Sequence, residues 1–196
     1  MTVALVDDDE AVLDSLRMAL ESRSIAVRCF TSAEAFMESL DELRPRCVVS
    51  DVRMPGWSGI ELQQALKARD ATLPLILITG HGDIPMAVNA IKEGAFDFIE
   101  KPFDYERLID SIMKAIEYGD RAHSAQAQLV DLAQRVGELS ERQREVMDRV
   151  VEGLSNKEIA QALGISPRTV ENYRAWVMEK MGATNLADLV RKVLLL

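Results

Sequence analysis

The chain has 196 residues, enough for one large domain or two small ones, and its 48% apolar and 28% charged residues exclude global disorder. No apolar run approaches the ~20 residues a membrane-spanning helix needs, and Met1-Thr2-Val3-Ala4 opens without the basic region of a secretory signal. The net charge of −9 argues on its face against nucleic acid, but from residue 140 onward there are 9 Lys/Arg against 8 Asp/Glu, so the acidity sits in the first part.

Residues 1–116 alternate short apolar runs with amphipathic segments. The runs Val3–Val6, Ile25–Phe30, Cys47–Ser50, Leu75–Thr79 and Asp97–Ile99 read as strands. Helical spacing lies between them, in Val12/Leu13/Leu16/Leu20 and Ile60/Leu62/Ala65/Leu66, and Ser32 is set to cap a further helix. Five strands alternating with helices predict a doubly wound parallel sheet, whose site lies beyond the carboxyl ends of the strands. Cys29 and Cys47 are isolated within apolar stretches and read as buried thiols in a reducing cytoplasm.

Chemistry-bearing residues gather at those strand ends. Asp7-Asp8-Asp9 follows the first run, Asp51 the third, Thr79 closes the fourth before Gly80, and Lys101-Pro102 follows the fifth. Alone, an Asp triplet opening a helix is a solvated cap. Together, the carboxylates make a hard oxygen site suited to Mg²⁺, and a hydroxyl and an ammonium beside them suit a phosphoryl group on Asp51. Gly56 and Gly80 leave room for backbone there.

A last helix of this region starts near Asp104. Farther along, Ala122, Ala125, Leu129, Leu132, Val136 and Leu139 recur at spacings of 3, 4, 3, 4 and 3. Either a short dimer seam or a linker helix folded against a neighbouring domain gives this pattern, and Gly119 and Gly137 are weak points along it. Ser140 with Gln143 then forms a capping-box pattern. Short helices follow, punctuated by Gly153, Gly164, Pro167 and Gly182. The helix starting in Leu154–Ala160, the turn Leu163-Gly164-Ile165 and a helix capped by Ser166 with Pro167 first make a helix-turn-helix. Val170, Tyr173, Val177 and Met181 form the apolar stripe of its second helix, Trp176 faces either DNA or the last helix, and Leu186, Leu189, Val190, Val193 and Leu194 make that last helix amphipathic.

Asp7-Asp8, Asp51 with Met54-Pro55-Gly56, Thr79 and Lys101-Pro102 together resemble the receiver domain of two-component response regulators. The resemblance implies an α/β flavodoxin-like fold with strand order 2-1-3-4-5 over residues 1–117. It also implies that Asp51 accepts a phosphoryl group from a sensor histidine kinase, and that Asp7, Asp8, Asp51 and the backbone carbonyl of Arg53 bind Mg²⁺. Lys101 would pair with the phosphate and join Pro102 through a cis bond; Thr79 and Phe98 would form the switch. His81 would sit in a surface loop without a catalytic role.

Leu139-Ser140-Glu141-Arg142, Asn156–Ala160 and Ser166–Val170 resemble the small all-α LuxR/NarL/FixJ-type DNA-binding domain, placed at 139–196 after a helical linker at 118–138. With Thr79–Asp83 and Ile99–Phe103, the whole looks most similar to FixJ-like regulators; Tyr173 departs from the histidine often found there. Carried over, Glu171, Asn172 and Ala175 face bases, while Lys157, Arg168, Thr169, Arg174 and Lys180 meet phosphates. The function so implied is a cytoplasmic regulator that dimerises on phosphorylation, binds promoter DNA and engages RNA polymerase. It is no turnover enzyme, although its receiver promotes its own aspartyl phosphorylation and dephosphorylation. An Mg²⁺-dependent phosphotransfer enzyme, or a receiver-type interaction module without DNA output, stands as the alternative.

Overall fold

A computed structural model describes residues 1–80 and 84–196. By its contacts the chain divides into two units, Met1–His123 and Ser124–Leu196.

The first unit is a five-stranded, all-parallel sheet in the order β2-β1-β3-β4-β5, from β1 (Thr2–Val6), β2 (Ala26–Phe30), β3 (Cys47–Asp51), β4 (Leu75–Thr79) and β5 (Asp97–Glu100). Alternation splits the buried side chains into two layers. Val3, Leu5, Val49, Ile76 and Ile78 meet α1 (Glu10–Glu21) and the first half of α5 (Tyr105–Gly137) through Leu13, Leu16, Leu20, Leu108 and Ile112. Ala4, Val6, Val48 and Leu77 point the other way, to α2 (Ala33–Leu43), α3 (Gly59–Arg69) and α4 (Ile84–Lys92), through Phe36, Leu40, Leu62, Leu66 and Ala90.

Local chemistry starts and stops these elements. Asp9 caps α1 by accepting from the N–H groups of Ala11 and Val12. Ser32 caps α2 through Ala35, and Ser58 and Glu61 form a reciprocal capping box on α3. Strand β2 starts one residue later than the apolar run suggests, because the N–H of Ile25 donates to Leu20 and closes the end of α1. Every residue of β3 is buried. Cys47, fully enclosed at its start, has a thiol that burial pushes far above its ordinary range.

The second unit contains the end of α5, α6 (Glu141–Val151), α7 (Asn156–Leu163), α8 (Pro167–Lys180) and α9 (Leu186–Leu194). Val146, Met147, Val150, Ile159, Val170, Val177, Met181 and Leu189 form its core. The heptad-like stripe is divided in use: Leu132, Val136 and Leu139 pack into this core, whereas Ala125 is exposed and Ala122 and Leu129 are half-buried. Helix α5 runs through Gly119 unbroken, and that glycine is a close approach rather than a weak point. A Cβ there would stand 2.9 Å from Pro74 Cδ.

Candidate functional site

The parallel register brings the carboxyl ends of four strands to one edge. Val6 is level with Ser50, Asp51 with Ile78, and Thr79 with Glu100, so Asp7, Asp51, Thr79 and Lys101 all fall there. The backbone ties each one. Asp7 donates its N–H to Phe30, Val52 to Ile78 and Lys101 to Thr79, the last at 2.7 Å. The Lys101–Pro102 bond is cis.

Lys101 Nζ sits between two buried carboxylates, 2.6 Å from Asp51 Oδ1 and 3.0 Å from Asp7 Oδ2. The remaining oxygens are used as well: Asp51 Oδ2 accepts from the N–H of Arg53 at 2.6 Å and Asp7 Oδ1 from that of Asp9 at 3.0 Å. Burial pushes the Asp7 carboxyl above its usual range, against the opposing pull of the Asp9 N–H and Lys101. Burial pulls the Lys101 ammonium down, but its bonds to Asp51 and Asp7 outweigh this and hold it above the ordinary lysine value.

The residues expected to hold a metal lie at or beside this edge. Asp7, Asp51 and the Arg53 backbone come together, while Asp8 is exposed on the loop. Among the described residues no three His, Cys, Asp or Glu side chains converge on one point; the Lys101 ammonium lies between the Asp7 and Asp51 carboxylates. Thr79 is fully buried at the end of β4. Phe98 is half-buried against the layer that contains Val6, Leu77 and Ala90. His81, with Gly82 and Asp83 of the same motif, lies outside the described residues. Glu34, which no local pattern in the sequence marks, reaches this region from α2 and accepts the N–H of Trp57 at 2.9 Å.

The helical unit presents the second set of residues. Helix α7 ends at Gly164 in the left-handed region (φ +66°), and Ser166 starts α8 by accepting from Thr169, with Pro167 at the head of the helix. Val170, Val177 and Met181 face inward with Tyr173 half-buried, whereas Arg168, Glu171, Asn172 and Ala175 are exposed, as is Lys157 at the start of α7. Arg168 pairs with Glu171 at 2.9 Å, and Thr169 shares a hydrogen bond with Ser166. Two of the cations expected to meet phosphates also bond within the unit. Arg174 donates to Asn156 Oδ1 at 2.5 Å, and Lys180 donates to the Glu138 carbonyl at 2.8 Å and to Gln143 at 3.1 Å. Trp176 is exposed, held edge-on to Tyr173 with ring centres 5.5 Å apart. Leu189 fills the core, while Leu186 and Leu194 of α9 stay exposed.

Comparisons with known proteins agree with both sets of residues. Residues 3–113 match the response regulator receiver domain family, and residues 137–193 match the luxR family of bacterial regulatory proteins. The transcriptional regulatory protein FixJ of Bradyrhizobium diazoefficiens is 49% identical over 189 residues, covering 96% of this chain and 92% of that protein. Among solved structures, the response regulator StyR superposes with a TM-score of 0.85 at 40% identity, covering 98% of this chain and 97% of StyR. Full-length FixJ from B. japonicum superposes with a TM-score of 0.61 at 48% identity, covering 99% and 96%. The chain therefore belongs to the two-component response regulators, in the FixJ-like group that joins a receiver domain to a LuxR-type DNA-binding domain and acts in phosphorylation-activated transcriptional regulation.

Proposed function

We propose that Asp51 is the phosphoryl acceptor and that its phosphorylation by a sensor histidine kinase controls DNA binding by α8. The observation that carries this reading is the Asp51 carboxylate, buried at the end of β3 and held 2.6 Å from the Lys101 ammonium. A carboxylate oxygen of Asp51 attacks phosphorus, the phosphorus–nitrogen bond of the phosphohistidine breaks, and its electron pair returns to the imidazole. Lys101 then turns from carboxylate to phosphate, keeping its charge beside the new dianion. Asp7, Asp8, Asp51 and the Arg53 carbonyl would hold Mg²⁺ as hard oxygen donors, Asp7 and Asp51 already converging on the Lys101 ammonium. When bound, Mg²⁺ neutralises charge on the phosphoryl oxygens. The Thr79 hydroxyl moves to the phosphate and the Phe98 ring turns into the space it leaves, biasing a pair of side chains with two stable arrangements. The receiver promotes both gain and loss of its own phosphoryl group and turns over no other substrate.

In this reading phosphorylation pairs two chains in the cytoplasm, and the paired α8 helices bind a two-part promoter site and recruit RNA polymerase. Glu171, Asn172 and Ala175 read bases; Lys157, Arg168, Thr169, Arg174 and Lys180 contact phosphates, Arg174 and Lys180 exchanging their bonds to Asn156 and the Glu138 carbonyl for them. Solution size and promoter binding, measured with and without a beryllium fluoride phosphate mimic, test it. The mimic should promote dimers and tighten binding in the wild-type protein and do neither in Asp51→Asn. Equal dimerisation of the variant would refute the assignment.

A further inference from the structure

We propose that Glu34 is a positioning residue for the chemistry at Asp51: its carboxylate pins the β3–α3 loop by the N–H of Trp57 and so holds the backbone at Arg53. The inference rests on the role given to Asp51 above. The loop is tied at its ends, where Gly59 donates to the Val52 carbonyl at 3.0 Å and Arg53 donates to Asp51 Oδ2 at 2.6 Å. Ser58 joins it to α3 by donating to Glu61 Oε2 at 2.8 Å. Between these ties the chain passes through Pro55 and Gly56, and there Glu34 Oε1 accepts the Trp57 N–H at 2.9 Å.

Gly56 is shaped to the same contact. Its φ is +75°, and a Cβ on it would run into Glu34 Oε1, so the carboxylate occupies the space that the missing side chain leaves. Glu34 is itself placed by the capped first turn of α2, where Ser32 accepts from Ala35. An ionised acceptor makes the stronger kind of hydrogen bond. Holding the loop in advance lowers the ordering cost when the Arg53 carbonyl is recruited with the carboxylates around a cation, as partners beyond the immediate ligands do.

The full-length chain tests this with Glu34→Ala and Glu34→Gln. Hydrogen exchange of the Trp57 amide is followed by NMR without metal, Mg²⁺ affinity by calorimetry with MgCl₂, and phosphorylation with acetyl phosphate as donor. In Glu34→Ala the amide should exchange at least about tenfold faster and Mg²⁺ bind about tenfold more weakly. More Mg²⁺ should then be needed for phosphorylation, with a nearly unchanged maximal rate. Glu34→Gln keeps an oxygen acceptor and should retain most of the wild-type behaviour. Unchanged exchange and affinity in Glu34→Ala overturn the proposal, as does equal damage in Glu34→Gln. A wild-type chain that binds no Mg²⁺ and takes no phosphoryl group overturns the reading of Asp51 itself; a functional wild type with unmoved variants overturns only the role of Glu34.

Discussion

Replacing Lys101 by alanine measures how strongly the strand-end carboxylates repel each other. The lysine side chain is 26% exposed, while its partners Asp7 and Asp51 are only 4% and 9% exposed. Without the ammonium two neighbouring buried carboxylates lose their shared cation. Breaking a buried pair costs about 3–5 kcal/mol, and screening by water around the partly exposed lysine trims the expected loss to about 2–3 kcal/mol at pH 7. Acid should shrink the loss, because burial already holds Asp7 above its usual range and a proton taken up there relieves the repulsion. At the alkaline end the folded pKa of Lys101 lies above the ordinary lysine value. Its contribution is therefore complete below that value and fades as pH climbs through the folded one.

The assay is urea unfolding in Mg²⁺-free buffer. Each unit has one tryptophan, Trp57 in the first and Trp176 in the second. Trp57 emission in a Trp176→Phe background thus reports the receiver unit alone, which avoids treating two units as one transition. Free Mg²⁺ at ten times its dissociation constant should return about 1.4 kcal/mol to the variant. A difference of less than about 0.5 kcal/mol between Lys101→Ala and its parent at pH 7 would refute the reasoning, as would a loss that grows on acidification.

Two further predictions concern α5 and α8. Glycine to alanine inside a helix ordinarily gains about 0.5–1 kcal/mol; Gly137→Ala, at the last residue of α5 with no packed neighbour within 4 Å of the new methyl, should be neutral or gain up to about 0.5 kcal/mol, whereas Gly119→Ala should be destabilising through the contact 2.9 Å from Pro74. Thermal unfolding of the two variants checks the pair, and equal gains would show that α5 does not press on Pro74. Asn172→Ala should weaken specific DNA binding by about 1–3 kcal/mol and leave binding to random DNA nearly unchanged. Equal losses in a salt titration would remove Asn172 from base readout.

The sequence made the first unit legible because its strands are short and, in β1, β3 and β4, apolar and stopped by a distinct signal. Asp51 before Met54-Pro55-Gly56 and Lys101 before Pro102 mark two strand ends that the parallel register then brings together. Strand order followed from the family resemblance rather than from the apolar runs, which are alike in length and character. The stripe from Ala122 to Leu139 was ambiguous for a physical reason: 3-4 spacing serves a two-chain seam and a packing face equally. Its end is committed to the helical core by Leu132, Val136 and Leu139. The bonds of Arg174 to Asn156 and of Lys180 to the Glu138 carbonyl are not legible in the sequence, because helical phase gives direction but not the reach of a long side chain. Glu34 stayed hidden because its partner lies 23 residues away and is a backbone amide.

Cys47 opens the same strand that Asp51 closes, and it is sealed on both faces of the sheet. A thiol so placed is out of reach of alkylating reagents until β3 parts from its neighbours, whereas Cys29 on β2 is only half-buried. The chain thus contains a built-in clock for the opening of its central strand. The slow labelling phase at Cys47 counts how often β3 breathes, and its change on phosphorylation would tell whether the signal stiffens the sheet or loosens it.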